Sequence, residues 1–350
     1  MDSASRARLF AVSALVIVLL AVAAANLSAP ASPLAPVPDL RFAPRAWPQH
    51  RPESAARLGA IFQRALDWSG KLDLDPLRLR SEKKMKGIKH FVEYLDLLHL
   101  ASRSPDETIA ARARERAVQI LAVVDDGAYH QLTPDDPRRF KEDSLSYVRA
   151  GWLAEQFLPD NRRYRRELEK FLPRLHEHFK TRGVDQRMTF AALLGELRLP
   201  CQETEAQVYR ESLLAARMPL AYFDSPLKTY NLTHEIFALT SRGARTFQFP
   251  KPEDARYAKE TLAALLKKYM DAGDLDLSAE LLIDLAEIGE GGCEIARAAR
   301  ALILRSQNPD GSFGKYDEAA VKKTQPLFDV QIGAYLHTTM VCLWALMETE

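Results

Sequence analysis

Apolar residues recur three and four positions apart from about residue 53 to the end of the chain, and alternating runs of the strand type are scarce. The pattern predicts an all-α fold. Start and stop signals divide it into elements. Ser104-Pro105-Asp106-Glu107 combines an N-cap, a proline at the first helical position and the acid of a capping box. Thr133-Pro134-Asp135-Asp136 and Lys251-Pro252-Glu253-Asp254 also set proline and acids at helix starts, where carboxylates meet the positive end of the dipole. Gly127, Gly183, Gly289 and Pro309 mark helix ends. Between these marks about twelve helices are expected, over 53–69, 83–101, 106–123, 139–157, 160–180, 185–198, 203–216, 229–241, 253–271, 275–289, 292–306 and 327–348.

Short loops pair these helices into about six hairpins, a spacing that suits either an open solenoid or a closed ring. A weak internal repeat favours the ring. Lys89-His90-Phe91-Val92, Thr233-His234-Glu235-Ile236 and Leu336-His337-Thr338-Thr339 each set a histidine just before an apolar run. Their helices lack a strongly charged face, as expected of helices packed all round. The neighbours 160–180 and 253–271 carry dense Lys, Arg and Glu on one side, as outer helices would. Inner helices that begin with a polar residue would present it at one mouth of a central cavity. Nothing inside 53–350 looks like a linker, so that stretch is read as one domain.

Upstream the pattern changes. Arg6 and Arg8 precede an apolar run from Leu9 to Ala25 broken only by Ser13. Residues 1–25 therefore read as one N-terminal hydrophobic helix, either a signal peptide or an uncleaved signal anchor. In both cases the basic flank stays inside and the remainder is exported to a periplasmic or extracellular face. An uncleaved anchor would add the membrane as a partner. Prolines at 30, 33, 36, 38, 44, 48 and 52 mark 26–52 as an extended, PPII-like linker. The formal net charge of +1 offers no field for nucleic acid. Three cysteines, Cys201, Cys293 and Cys342, are too few for a disulfide scaffold.

Near the C-terminus a helix ends in Gln307, a Pro309-Asp310-Gly311 turn breaks it, and Phe313 follows. This grammar resembles the glutamine–aromatic repeat of the terpenoid-cyclase and protein-prenyltransferase superfamily, with Phe313 in place of the usual tryptophan. The resemblance implies an α/α toroid in which Gln307 and Phe313 clasp helices together. His337-Thr338 is similar to the His-Thr pair of the prenyltransferases, which implies His337 as a zinc ligand and Asp329 as a second. The family's Asp-x-Cys reads Asp329-Val330-Gln331 here, so the thiolate is missing and the zinc ligand set is incomplete. Asp274-Leu275-Asp276-Leu277 stops one carboxylate short of the cyclases' Asp-x-Asp-Asp, and Asp125-Asp126-Gly127-Ala128-Tyr129 lacks the last acid of their metal motif. The segment 270–289 also resembles an uncharacterised family of bacterial toroid-like proteins. Likeness of fold without the site carries no activity.

A second stretch, Tyr230-Asn231-Leu232-Thr233-His234-Glu235, places Tyr230, Asn231 and His234 on one helical face. It resembles exported α/α-toroid polysaccharide lyases in its residue types. There an Asn-like donor neutralises a uronate carboxylate, and His or Tyr moves the protons of β-elimination. Tyr230, Asn231 and His234 are thus the catalytic candidates, with Glu235 and His90 as ligand-binding candidates. A zinc site of His90, His234 and His337 requires that the fold bring all three onto one ion. Asp274, Asp276, Glu280 and Asp284 lie at the start of one predicted helix, where acids complement its dipole and orphan amides. The expectation is an exported or membrane-tethered module that binds a small molecule or glycan in a central cavity. The alternative is a carbohydrate-active lyase or hydrolase centred on Tyr230, Asn231 and His234.

Overall fold

The computed structural model describes residues 37–72, 87–124, 137–160, 162–315 and 335–350. The apolar run Leu9–Ala25, the segment Asp125–Tyr129, Asp329 and Gln331 lie outside the described residues. Among the described residues no helix is long and apolar enough to cross a membrane. Pro38–Glu350 form one compact unit.

The unit is mostly helical. Its helices are α1 Pro52–Ser69, α2 Gly87–Ala101, α3 Glu107–Val124, α4 Pro137–Phe157, α5 Arg163–Glu177, α6 Val184–Glu196, α7 Glu205–Tyr209, α8 Leu213–Ala216, α9 Pro226–Leu239, α10 Pro252–Asp271, α11 Leu275–Glu287, α12 Glu294–Arg305 and α13 His337–Glu348. Prolines open α1, α9 and α10 as the sequence grammar requires, and Asp274 caps α11 through the Leu277 amide at 3.1 Å. The expected helix 203–216 is two short ones. A Thr204–Gln207 capping box starts α7, Ser212 caps α8, and Arg217 in the left-handed region ends it.

Packing sorts the helices. α2 lies against α4, α4 against α6, α6 against α9, α9 against α11, α11 against α13, and α13 against α2. The others back onto this set: α1 and α3 on α2, α5 on α4, α10 and α12 on α11. Burial follows the same division. Leu277 to Glu287 of α11 and Thr339 to Glu348 of α13 are buried without a break. By contrast α5 buries only Tyr164, Leu168, Leu172 and Leu175, and α12 only Ala296, Ala299 and Ile303, each one stripe at helical spacing.

The described part of the proline-rich stretch is tied to the helical unit. Arg41–Pro44 form a strand, β1, that pairs antiparallel with β2, Arg245–Gln248, with Arg41 opposite Gln248. Arg245 stacks on the Phe42 ring at 3.8 Å. Arg45 reaches Glu348 at 2.6 Å, and His50 Nε2 lies 3.1 Å from the Met347 carbonyl. Proline tolerates this place because an edge strand leaves its missing donor unneeded.

Gln307 joins the turn after α12 to α1. Gln307 Nε2 donates to the Ile61 carbonyl at 3.0 Å and to the Gly311 carbonyl at 2.9 Å, while its Oε1 accepts from Arg64 Nε at 2.8 Å. Phe313 is fully buried and its amide donates to Thr339 Oγ1 at 2.9 Å. One turn therefore ties α1, the end of α12 and the start of α13. Gly311 sits at φ +100°, and a Cβ there would run into the Arg64 carbonyl.

Candidate functional site

Two largely buried helices, α2 and α11, carry ionisable residues turn after turn. On α2 these are His90, Glu93, Asp96 and His99, which wind around the helix; on α11 Asp276, Glu280, Asp284 and Glu287 share one face. Both sets run through otherwise buried helices, so their charges must find partners inside.

His337, the first residue of α13, lies between them. Its Nδ1 is 3.1 Å from Glu93 Oε1 and its Nε2 is 3.1 Å from Glu280 Oε1, with Asp276 Oδ2 at 3.7 Å from Nε2. Burial acts to lower the imidazole's proton affinity. Asp276, Glu280 and Glu93 outweigh it and lift His337 to about 10. Glu280 and Glu93 respond in the opposite sense. Burial works to raise them, but contact with His337 holds both below the usual carboxylate range, Glu93 well below it. The unit is an imidazolium clamped by two carboxylates.

The remaining polar groups are arranged around this clamp. His90 Nδ1 lies 3.3 Å from Glu93 Oε2, Thr233 Oγ1 donates to Glu280 Oε2 at 2.6 Å, and Thr338 Oγ1 donates to Asp276 Oδ1 at 3.1 Å. Tyr230 donates its hydroxyl to Asp276 Oδ2 at 2.5 Å. Burial first, and Asp276 next, push the Tyr230 phenol far above its ordinary range, so it stays protonated. His234 Nε2 is 3.9 Å from Glu280 Oε1. The three histidines whose sequence contexts repeat are thus gathered around two carboxylates, Glu93 and Glu280. Among the described residues no group of three or more His, Cys, Asp and Glu is arranged to hold a metal ion. Both ring nitrogens of His337 already face carboxylates, and Asp329 lies outside the described residues.

His234 differs from its neighbours in being reachable. It keeps 42% of its side chain accessible, because it opens onto a cavity of about 250 Å³. Lys89, Arg149, Asp185, Trp152, Phe237 and Arg242 are among the residues that line the cavity with it. Burial lowers His234, leaving it neutral near pH 7, and raises Asp185. Tyr230, His234 and Phe237 form a ladder along α9, with ring centroids 6.2 and 5.9 Å apart. Asn231 is half-buried on the same helix. Glu235 points elsewhere: it accepts from the Leu213 and Leu214 amides at 2.9 and 3.3 Å and so caps α8. That is a structural post, not a place on the cavity wall.

Tyr230, His90, His234 and His337, which the sequence raised as separate candidates, lie around the carboxylates Asp276, Glu93 and Glu280. The sequence did not single out Glu93, Asp185, Arg149 or Arg242. Asp276 and Glu280, expected to serve the helix dipole, serve the interior instead; only Asp274 caps. The available signal was an acid repeated at helical spacing on a helix otherwise wholly apolar.

Comparison with known proteins adds a family and little else. The chain is 28% identical over 116 residues to proteins described as type 3 secretion system stator proteins from Yersinia pestis and Yersinia pseudotuberculosis serotype I. A protein of the same description from Yersinia enterocolitica matches at the same identity and length. The match takes in 32% of this chain, and the chain spans about half (50%) of the length of these curated relatives. No solved structure matches it. The model of a family described as a domain of unknown function, DUF6895, matches residues 62–347, nearly the whole helical unit, and the chain belongs to that family.

Proposed function

We propose that this protein is an α/α toroid whose inner helices are α2, α4, α6, α9, α11 and α13, and that it binds a small polar molecule or glycan unit in the cavity lined by α2, α4, α6 and α9. The pairwise packing of those six helices, returning from α13 to α2, supports the ring. The observation that carries the binding role is His234, exposed from an otherwise buried helix to a cavity that Lys89, Arg149, Asp185 and Arg242 also line. A cavity of about 250 Å³ has room for roughly eight waters at ~30 Å³ each, the size of one sugar ring. Polar groups converging in such a space are the usual mark of a ligand site. Residues 1–25 support export, or tethering by an uncleaved anchor.

A screen of glycans and small polar metabolites by thermal shift, on wild type and His234→Ala, tests the reading. Compounds that raise the melting temperature of wild type and lose most of that effect in His234→Ala are the expected result. Hits that act equally on both proteins would place the ligand elsewhere.

A second reading, an acid–base enzyme such as a carbohydrate lyase or hydrolase, is favoured by one pairing. Neutral His234 and Asp185, a carboxyl raised by burial, line the same cavity and would serve as base and acid. Tyr230 is a weaker candidate for moving protons, because its hydroxyl is committed to Asp276. Turnover of a screened glycan that vanishes in His234→Ala and persists in Tyr230→Phe would select this reading. A role in protein secretion of the kind named for the Yersinia relatives rests on a match to about a third (32%) of this chain, and the cavity chemistry does not call for it.

A further inference from the structure

Two arginines meet in the wall of the cavity. Arg149 and Arg242 both line the cavity, and both turn to a single carboxylate, Asp96, which is almost fully buried. Arg149 pairs closely with Asp96 Oδ2, and Arg242 stands 3.8 Å from Oδ1. Two guanidiniums therefore face the same carboxylate, with Glu287 and Glu280 acting on Arg242 from further off. Arg149 Nε is buried without a hydrogen-bond partner, and at 3.8 Å the Arg242 guanidinium stands beyond hydrogen-bond reach of Asp96. Instead it stacks on Trp344 at 4.6 Å, a contact that uses its face and leaves its donor edge free. Burial, and then Arg149, pull Arg242 down to about 10, still cationic at neutral pH.

The backbone holds Arg242 in this place. Ser241, Arg242 and Gly243 are successive left-handed residues at φ 50°, 55° and 80°. For two side-chain-bearing residues that is a strained conformation, of the kind that persists where surroundings enforce it. Here they do: the Arg242 amide donates to the Phe237 carbonyl at 2.8 Å, and the side chains of Glu348, Glu287 and Arg45 crowd Gly243. Shielded arginines with free donors and shared compensation fit an oxyanion, which they bind in a forked geometry.

We propose that Arg149 and Arg242 form an anion subsite in the cavity, which selects ligands carrying a carboxylate or phosphate group next to a compact polar ring. The inference rests on the cavity reading and narrows it from polar molecules to acidic ones. Asp96 then acts as the resident counter-charge that the ligand's oxyanion partly replaces.

The test uses the full chain at low salt, with D-glucose, D-glucuronate and D-glucose 6-phosphate as probes that share a ring and differ in the anionic group. Trp152 on the cavity wall reports binding by fluorescence, and circular dichroism checks the fold of each variant. At least one of the acids is expected to bind about tenfold or more tightly than glucose, and Arg242→Gln and Arg149→Gln to lose about tenfold, as for a charged hydrogen bond. Asp96→Asn is the decisive variant: removing the competing carboxylate should tighten acid binding, which a purely structural ion pair would not do. Preference for glucuronate over glucose 6-phosphate, or the reverse, identifies the oxyanion. Acids that bind no better than glucose, or that bind Arg242→Gln and wild type alike, would overturn the anion subsite while the cavity reading stands. Silence from both acids in wild type and in Asp96→Asn would overturn it too, and the neutral compounds of the thermal-shift screen would still decide the cavity reading separately.

Discussion

A carboxyl group without a partner, such as that of Asp284, keeps its proton when the chain folds around it. Both of its oxygens are buried with no hydrogen-bond partner, and burial, with Glu287 and Glu280 nearby, raises it well above the ordinary carboxylate range. A group raised on folding contributes stability at low pH that is lost as pH climbs toward its folded value. Asp284→Asn should therefore change the melting temperature little in mild acid and raise it increasingly in neutral and alkaline buffer. A melting series in pH that runs parallel to wild type would contradict this. His337 has the same sign. Its stabilising contribution is complete below about 6.5 and lost as pH rises through about 10. His337→Gln should melt lower near neutrality and show a shallower alkaline decline, with Glu93, Glu280, Asp276 and His234 the groups facing the site. At this scale the sequence was partly legible. His90, His234 and His337 stood out because each opens an apolar run. Glu93 and Asp96 were hidden because three-residue spacing on one helix reads equally well as a solvated face. Ser104 was taken as the cap of α3, whereas Asp106 bonds the Thr108 amide at 2.9 Å and does the capping.

Elements were the most legible level, since apolar periodicity and capping chemistry are local. What escaped depends on tertiary partners. β1 is four residues long among prolines, so nothing local announces a strand; β2 supplies its ladder. The segment it anchors should matter to stability. Arg45 pairs with buried Glu348, and removing one member of a buried pair costs about 3–5 kcal/mol. Arg45→Ala should lose stability of that order in denaturant titration, and Glu348→Gln should recover part of it in the double variant. Equal stability of Arg45→Ala and wild type would make the 38–51 segment a passive strap. The turn after α12 offers a second check. Gly311→Ala must place a Cβ against the Arg64 carbonyl in a left-handed conformation, at a cost of about 2 kcal/mol. A denaturation midpoint unchanged by Gly311→Ala would show that the clasp between α1 and α12 is loose.

For the whole molecule, the sequence offered an arrangement through its spacing and repeated histidines, and no chemistry, because the polar interior is assembled from six helices far apart in the chain. The cavity joins Lys89 of α2, Arg149 of α4, Asp185 of α6 and His234 of α9, residues that no local motif connects. A binding cavity should lose its ligand when it is filled. Thr189 lines it, and Thr189→Trp would fill it without touching His234, Arg149 or Arg242. Calorimetric titration of the full chain with a ligand from the screen is the most direct measurement. The prediction is single-site binding to wild type and a loss of at least about tenfold in Thr189→Trp, with the melting curve of the variant still cooperative. Undiminished affinity in the filled variant would contradict it.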